Sequence, residues 1–148
     1  MIHGAYIFDI DGTLADYKHR LHYLLDNEKP DFDSFYAESE KDEPIFNVVE
    51  ILKLLHRTGV KIVLVTGRPM KYVNTTLNWL NKHNIPLDAL YMREDGDHRQ
   101  DFVVKQEMYM NQISKNFAIL GVFEDRKQCV DMWRRLGLTC YQVNDGNY

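Results

Sequence analysis

Long hydrophobic runs are missing from this sequence, and so is the pattern of a signal peptide. A membrane-spanning helix needs about 20 consecutive apolar residues, so no such helix is expected. Cysteine is scarce, because only Cys129 and Cys140 occur in 148 residues, without the spacing of a zinc site or a disulfide scaffold. We therefore expect two reduced, buried thiols in a cytoplasmic protein, or in the host cytoplasm if a phage encodes it.

An excess of positive charge is also lacking. The 22 acidic residues outnumber the 18 lysines and arginines, and the formal net charge is −4. This argues against a protein that binds duplex nucleic acid without sequence preference, although a local site for one phosphate is compatible with it. The Gly-x-x-x-x-Gly-Lys-[Ser/Thr] loop of nucleotide kinases does not occur either, so nothing in the sequence supports kinase activity.

The composition is otherwise that of a globular protein, with 45% hydrophobic and 27% charged residues. A length of 148 residues predicts one domain, residues 1–148, in which apolar stretches and helical periodicities alternate. Strands are predicted at residues 5–8, 60–65, 89–92, 117–123 and 139–143, and helices at residues 45–57, 70–83, 102–113 and 127–135. This alternation predicts an α/β fold, with a parallel sheet of about five strands and helices on both faces.

Residues 15–43 interrupt this alternation with an insertion that is rich in aromatic and acidic residues. Its position directly after the first strand is where a lid over a ligand site would lie. A small satellite packing cluster with a solvated acidic face is the alternative. The aromatic side chains that could stack against a nucleobase are Tyr17, Tyr23, Phe32, Phe35 and Tyr36.

Two carboxylates, Asp9 and Asp11, follow the first strand and precede Gly12. Two negative charges this close repel each other unless a cation lies between them. Asp9 could attack a phosphorus atom while Asp11 manages the proton of the leaving group. An ordinary Asp-Gly turn after a strand is the alternative.

Further polar residues follow the other strands. The segment Thr66–Arg68 ends the second predicted strand, Glu124–Arg126 ends the fourth, and Lys105 opens the helix before it. The carboxyl ends of parallel strands meet at one edge of the sheet, where ligands bind. Carboxylates, a hydroxyl and cations gathered there suit phosphoryl transfer, in which negative charge spreads over the phosphoryl oxygens. Taken singly, each segment could equally be a turn, a solvated lysine or a helix cap.

A metal ion fits the same group of residues. Mg²⁺ prefers oxygen ligands and retains several waters. Asp9, the backbone carbonyl of Asp11 and Asp125 would supply such ligands. Thr66 could donate to a phosphoryl oxygen, and Lys105 could neutralise its charge while keeping Asp9 ionised.

The order Asp-x-Asp-Gly-Thr, Thr-Gly-Arg, Lys and an acidic pair resembles the haloacid dehalogenase (HAD) superfamily of phosphohydrolases. The segments 63–68, 101–105 and 124–144 are similar to the 3′-phosphatase domains of bacteriophage polynucleotide kinases. This resemblance covers nearly the whole chain apart from the insertion, which is longer and more acidic here. It implies a HAD-like Rossmann-type sheet, with the insertion as a small cap.

The resemblance also implies roles for individual residues. Asp9 would be the nucleophile that forms an aspartyl-phosphate, and Asp11 would be the general acid and then the base. Mg²⁺ would be bound by Asp9, Asp11 and Asp125, and Thr66 and Lys105 would take part in catalysis. The residues implied to bind substrate are Arg20, Thr66, Gly67, Arg68 and Lys105, and those implied to support the site are Asp101 and Glu124.

These features predict a Mg²⁺-dependent phosphatase that acts on a phosphorylated nucleotide or oligonucleotide end, with the 3′-phosphate as first choice. A phosphatase of free nucleotides, including a 5′-nucleotidase, is an alternative that the acidic charge balance favours. A non-catalytic HAD-fold interaction domain is a further alternative, against which the clustered carboxylates argue. Neither a membrane nor an obligate protein partner is expected.

Overall fold

A computed structural model describes residues 2–146, and its centre is a parallel sheet of five strands. The strands of the chain are β1 (His3–Phe8), β2 (Ala15–Asp16), β3 (Glu43–Pro44), β4 (Lys61–Pro69), β5 (Ala89–Arg93), β6 (Phe117–Arg126) and β7 (Cys140–Gly146). The order in the sheet is β5-β4-β1-β6-β7, while β2 and β3 form a separate antiparallel pair. The predicted α/β fold with five parallel strands is therefore confirmed.

Helices cover both faces of this sheet. They are α1 (His22–Leu25), α2 (Phe32–Ala37), α3 (Phe46–Arg57), α4 (Val73–Lys82), α5 (Asp101–Met108), α6 (Ser114–Asn116) and α7 (Lys127–Arg135). Because successive side chains of a strand point to opposite faces, Val63 and Val65 pack with α5 and α7, whereas Ile62 and Leu64 pack with α3 and α4. Two apolar clusters thus hold the sheet between its helical layers.

The two strands that carry the polar segments Thr66–Arg68 and Glu124–Arg126 extend further than their apolar patterns predict. Strand β4 stays paired with β5 where Thr66 lies opposite Met92, and β6 stays paired with β7 where Glu124 lies opposite Gln142. Polar residues can continue a ladder because the pairing uses backbone groups. The polar segments of the second and fourth predicted strands therefore lie within strand ends, where they are held more rigidly than in loops.

The helices expected at 102–113 and 70–83 are not continuous α-helices. The first consists of α5, a π-helical turn over Tyr109–Ile113 and α6. The second begins with a 3₁₀ turn over Met70–Tyr72 before α4 starts. Since α5 begins at Asp101, Lys105 lies in its second turn rather than at its opening.

The insertion is closed at its base by the β2–β3 pair, in which Asp16 lies opposite Glu43. Between these strands the chain forms only α1, α2 and two 3₁₀ turns. The Trp79 indole of α4 donates to the backbone oxygen of Asp42 at 2.8 Å. The end of the insertion is therefore tied to the helical layer on one face of the sheet.

The fold can be compared with two expectations from composition. No helix within residues 2–146 is long and apolar enough to cross a membrane. Cys129 and Cys140 are free thiols buried in the cluster that packs with α5 and α7. Burial raises the pKa of both thiols, to about 12 for Cys140, so they remain protonated and act as packing residues.

Candidate active site

Asp9 lies directly after β1, at the carboxyl edge of the sheet. Its backbone N–H donates to the carbonyl of Phe123 in β6 at 3.0 Å, so the sheet itself fixes its position. The Thr13 hydroxyl donates to Asp9 Oδ2 at 3.1 Å and lies 3.4 Å from Asp125 Oδ1. Between these residues Gly12 has φ +85°, and a Cβ there would lie 2.0 Å from Asp125 Oδ2. Only glycine therefore fits this turn.

The ammonium group of Lys105 is buried between two carboxylates. Its Nζ lies 2.8 Å from Asp9 Oδ1 and 2.9 Å from Glu124 Oε2. Glu124 is oriented in turn by the Trp133 indole, which donates to Oε2 at 3.4 Å, while its Oε1 accepts from the backbone N–H of Asp125 at 3.2 Å. The lysine and its two carboxylates therefore have the partners that buried charges require.

Burial shifts the protonation of this cluster. It raises the pKa of Asp9 to about 7, with a smaller contribution from the Glu124 carboxylate, and Lys105 offsets only part of that rise. Burial also raises the pKa of Glu124. Burial alone would lower the pKa of Lys105, but the two carboxylates raise it well above its usual value. One lysine thus does not keep both acids fully ionised near neutral pH, and an added cation would favour ionised Asp9.

A candidate cation site lies beside the lysine. Carboxylate oxygens of Asp9, Glu124 and Asp125 all lie within 4.8 Å of one another, and the three residues are buried. Three carboxylates exceed the single positive charge of Lys105, and oxygen donors are the ligands that Mg²⁺ prefers. The residues present therefore fit a divalent cation. Of the expected ligands, Asp9 and Asp125 lie in this cluster, whereas the carboxylate of Asp11 is bonded to arginines.

The carboxylate of Asp11 accepts three hydrogen bonds from two arginines. Arg20 Nη2 lies 2.5 Å from Oδ1, and Arg68 donates through Nη2 to Oδ1 at 2.7 Å and through Nε to Oδ2 at 3.0 Å. Burial alone would raise the pKa of Asp11, but Arg68 and Arg20 lower it well below its usual range. Asp11 is therefore ionised in this state and is a much stronger acid than Asp9.

A second carboxylate, Asp42, compensates the two arginines from the other side. Arg20 donates to Asp42 through Nε at 2.9 Å and through Nη2 at 2.7 Å, and Arg68 Nη2 lies 3.8 Å from the same group. His19 extends the network outward, with Nε2 2.6 Å from Asp42 Oδ1. Asp42 was not identified from the sequence, because nothing local distinguishes it from the other acidic residues of the insertion.

Both guanidinium groups are fully buried, and their remaining donors are also engaged by protein atoms. Arg20 lies 4.3 Å above the ring of Phe35, which adds a cation–π contact. The acceptors of the remaining donors are Phe35 O, Ser39 Oγ and Thr76 Oγ1. The structure thus places Arg20 and Arg68 behind Asp11, and direct contact of either with a phosphate stays a prediction.

Thr66 and Gly67 lie near the carboxyl end of β4, the strand next to β1, which Asp9 follows. Thr66 is buried, and its Oγ1 accepts from the backbone N–H of Arg68 at 3.1 Å, which leaves the hydroxyl proton for donation. A Cβ at Gly67 would lie 2.5 Å from Asp101 Oδ1, so a side chain there would displace that carboxylate. Of the two residues, Gly67 lines the cleft, and a role of the buried Thr66 hydroxyl in holding a phosphoryl group stays a prediction.

Asp101 does not hydrogen-bond Lys105 but pairs with two arginines. Its Oδ2 accepts from Arg126 Nη1 at 2.7 Å, and its Oδ1 accepts from Arg93 Nη2. Arg93 also donates to the backbone oxygens of Gly67 at 2.8 Å and Arg99 at 2.6 Å. Sequence reasoning missed Arg93, although its position at the end of β5 was a usable signal. Arg93 links β4 to the loop that precedes α5.

An open cleft of about 1660 Å³ lies over the site. Its floor is formed by Asp9, Asp11, Gly67, Lys105 and Asp125. One wall comes from the insertion, through residues 16–18, 21, 24–25, 30–33 and 35–36, and the other includes residues 95–101. The insertion both packs around the buried arginines and borders the cleft, and whether it acts as a lid stays a prediction.

A parallel α/β sheet whose carboxyl edge joins an Asp-x-Asp-Gly-Thr turn to a threonine, a buried lysine and an acidic pair defines a phosphatase of the haloacid dehalogenase type. The chain belongs to the polynucleotide kinase PNKP phosphatase domain family, which matches residues 3–148. It is thus a phosphoric monoester hydrolase of the HAD type.

Individual relatives agree with this assignment. The chain is 31% identical over 133 residues to the "Putative bifunctional polynucleotide kinase/RNA ligase" of Autographa californica nuclear polyhedrosis virus, covering 89% of this chain and 18% of that protein. A chain of the Pnkp1/Rnl/Hen1 complex superposes with a TM-score of 0.88 at 33% identity, covering 99% of this chain and 48% of that one. The class C acid phosphatase from Bacillus anthracis with tungstate bound shares the fold, with a TM-score of 0.76 at 13% identity over 100% of this chain and 69% of that one. The chain spans less than half the length of the first two relatives.

Replacing Arg20 with lysine should lower both stability and activity. Lysine keeps the charge but cannot bond Asp42 through two nitrogens while also reaching Asp11. Loss of one partner from a buried ion pair costs roughly 3–5 kcal/mol, and somewhat less is expected when the charge is retained. Thermal unfolding and phosphate release would be measured beside Arg57→Lys, which changes an exposed arginine of α3. Unchanged Tm and kinetics in Arg20→Lys would show that the planar guanidinium is not needed.

Proposed function

We propose that this protein is a Mg²⁺-dependent phosphatase that removes 3′-phosphates from polynucleotide or nucleotide ends through an aspartyl-phosphate. The strongest support is the buried Lys105, which joins Asp9 to Glu124 at the floor of the cleft. A lysine there can neutralise a phosphoryl oxygen beside the attacking carboxylate. Membership of the PNKP phosphatase family supports the choice of a nucleic-acid end.

In the first step a carboxylate oxygen of Asp9 bonds to phosphorus while the bond from phosphorus to the ester oxygen breaks. The leaving oxygen takes a proton from Asp11. Asp11 is ionised when held by its arginines, but a dianionic phosphoryl group placed beside it raises its pKa and favours a proton there. Lys105 and the Thr66 hydroxyl stabilise the phosphoryl oxygens during the transfer.

In the second step a water attacks phosphorus and the bond from phosphorus to Asp9 breaks. Asp11, ionised by the first step, accepts the proton of that water. This releases phosphate, restores the Asp9 carboxylate and returns Asp11 to the protonated form in which the first step began. The arginine pair suits this step because it keeps Asp11 a carboxylate and fixes its orientation. Asp9 and Asp125, with the backbone carbonyl of Asp11, would hold Mg²⁺, and Glu124 lies close enough to assist. When bound, the ion would neutralise charge on the phosphoryl group.

The setting of the reaction is part of the same proposal. Relatives carry the names polynucleotide kinase/RNA ligase and Pnkp1/Rnl/Hen1 RNA repair complex, so an end-repair role is the natural one for this chain. The Pnkp1/Rnl/Hen1 complex contains several proteins, so the expectation that this chain needs no obligate protein partner stays a prediction. The cytoplasmic location stays a prediction as well.

A phosphate-release panel tests the substrate directly. It compares 3′-phosphorylated oligonucleotides, 5′-phosphorylated oligonucleotides and free 3′- and 5′-nucleotides. Release from 3′-phosphates is expected, including a mononucleotide 3′-phosphate, with loss on chelation of divalent cations and recovery on adding Mg²⁺. Salt dependence should be shallow because few backbone phosphates are contacted. Hydrolysis of 5′-phosphates with none of 3′-phosphates would favour a 5′-nucleotidase instead.

Asp9→Asn should abolish turnover and leave the fold intact. The amide keeps the shape and an acceptor for Lys105, but it removes the attacking charge and a ligand of the proposed cation. Steady-state phosphate release and the thermal melting curve would be measured together. Asp131→Asn, which removes a carboxylate from the surface of α7, is the matched control. Substantial turnover by well-folded Asp9→Asn would rule out covalent catalysis by this residue.

Asp11→Asn should impair substrates with poor leaving groups most strongly. Sugar and alkyl oxygens need a proton as they depart, whereas an activated aryl oxygen does not. The ratio of kcat/KM for a nucleoside 3′-phosphate to that for p-nitrophenyl phosphate should therefore fall, by about 10²-fold or more. An equal loss for both esters would indicate that Asp11 serves the geometry of the site rather than proton transfer.

A further inference from the structure

The two sides of the cleft differ in chemistry. The floor carries the charged groups that handle the phosphoryl group, and the wall at residues 95–101 is polar. The wall from the insertion instead presents large apolar side chains. Those that border the cleft there are Tyr17, Leu21, Leu24, Leu25, Pro30, Phe32, Phe35 and Tyr36.

Two of these side chains are unusually accessible for their size. Leu25 is 70% exposed and Phe32 is 53% exposed. Phe46 of α3 is a similarly accessible phenylalanine, at 69% exposed, but it does not border the cleft. Apolar surface that is left open beside a ligand site indicates a contact made when the ligand is bound.

Aromatic rings form a continuous series from α2 of the insertion to the 3₁₀ turn that precedes α4. The ring centroids of Phe32 and Tyr36 lie 6.2 Å apart with planes inclined by 22°, and Tyr36 lies 5.1 Å from Tyr72 beyond α2. Phe35 is buried beneath and packs against the edge of Tyr36 at 5.2 Å. The outer rings are thus backed by packing, while Phe32 keeps a large exposed surface.

Hydrogen bonds across the rim hold this series in place. Tyr72 donates its hydroxyl to Asp33 of α2, and Lys71 Nζ lies 2.8 Å from the same carboxylate oxygen. The backbone N–H of Lys71 donates to Asp95 at 2.9 Å, which ties in the opposite wall. A preorganised aromatic surface loses little entropy when a flat ligand stacks on it.

The position of Tyr36 connects the series to the reacting groups. Burial raises the pKa of its phenol, and the carboxylates of Asp11 and Asp101 raise it further. The phenol therefore stays protonated, and it lies near both Asp11 on the floor and Asp101 in the opposite wall. Tyr36 and Phe32 line the same cleft as Asp9 and Asp11, so the leaving group of an ester whose phosphate rests on the floor can lie against these rings.

We infer that Phe32, Tyr36 and Tyr72 form a stacking subsite for the nucleobase of the terminal nucleotide, whose phosphate is removed. This rests on the proposed function. A nucleobase fits better than a neighbouring phosphodiester, because the exposed surface of Phe32 is apolar and the Asp31 carboxylate beside it would repel a second phosphate. Stacking uses the π-face that all bases share. The subsite therefore does not distinguish one base from another, but it binds a terminal nucleotide with a base better than one without.

The test compares two 3′-phosphorylated oligonucleotides that differ only at the last nucleotide, one with a base and one with an abasic tetrahydrofuran residue. Wild-type protein should cleave the base-containing substrate with roughly tenfold higher kcat/KM, mostly through KM, as expected for one stacked base. Phe32→Ala should lose most of this preference and leave the abasic substrate unaffected. Phe46→Ala, an equally accessible phenylalanine outside the cleft, should keep it.

The outcomes separate the inference from the function on which it rests. Equal rates on the two substrates for wild-type protein, or equal losses on both for Phe32→Ala, would overturn the stacking subsite while leaving 3′-phosphatase activity intact. Absence of release from both substrates, with hydrolysis of p-nitrophenyl phosphate retained, would overturn the proposed function and the subsite together. A base preference that Phe46→Ala also loses would overturn the assignment to this wall.

Discussion

The contact on which this site depends is the buried pairing of Lys105 with Asp9 and Glu124. It joins α5 to the ends of β1 and β6, three elements that are distant in sequence. Two carboxylates placed this close in a buried setting would repel strongly without a cation between them. The lysine therefore reduces the repulsion between carboxylates at the carboxyl edge of the sheet. A divalent cation can balance the negative charge that remains.

A second charged cluster complements the first. Asp11 and Asp42 face Arg20 and Arg68, so two negative and two positive groups balance, and of the four only Asp11 is partly exposed. Since Asp42 and Arg20 belong to the insertion, that segment helps to build the site as well as bordering it. The two environments also give the neighbouring aspartates different pKa values: the pKa of Asp9 is raised to about 7, and that of Asp11 is lowered. Separate environments of this kind allow two carboxylates to take different roles in one reaction.

Much of the fold was predictable because its signals are local and periodic. The β-branched run at residues 60–65 and the helical apolar spacing from residue 45 to 57 reveal which faces are buried. The exact ends were less predictable, as the extension of β4 through Thr66 depends on a neighbouring strand that pairs by backbone bonds alone. The π-helical turn after α5 likewise has no simple signature in composition.

By itself, the sequence determined the order of strands and helices and the polar residues that follow the strands, because periodicity and chain order are properties of neighbouring residues. It also determined that Asp9, Thr66, Lys105 and Asp125 would lie at one edge, since parallel strands share the direction of their carboxyl ends. Only the tertiary structure decided that Arg20 and Arg68 hold Asp11, that Asp42 balances them and that Arg93 anchors Asp101. Those pairings join residues of the insertion, the strand ends and the loop before α5, and which charges meet in a buried space is decided by packing in three dimensions.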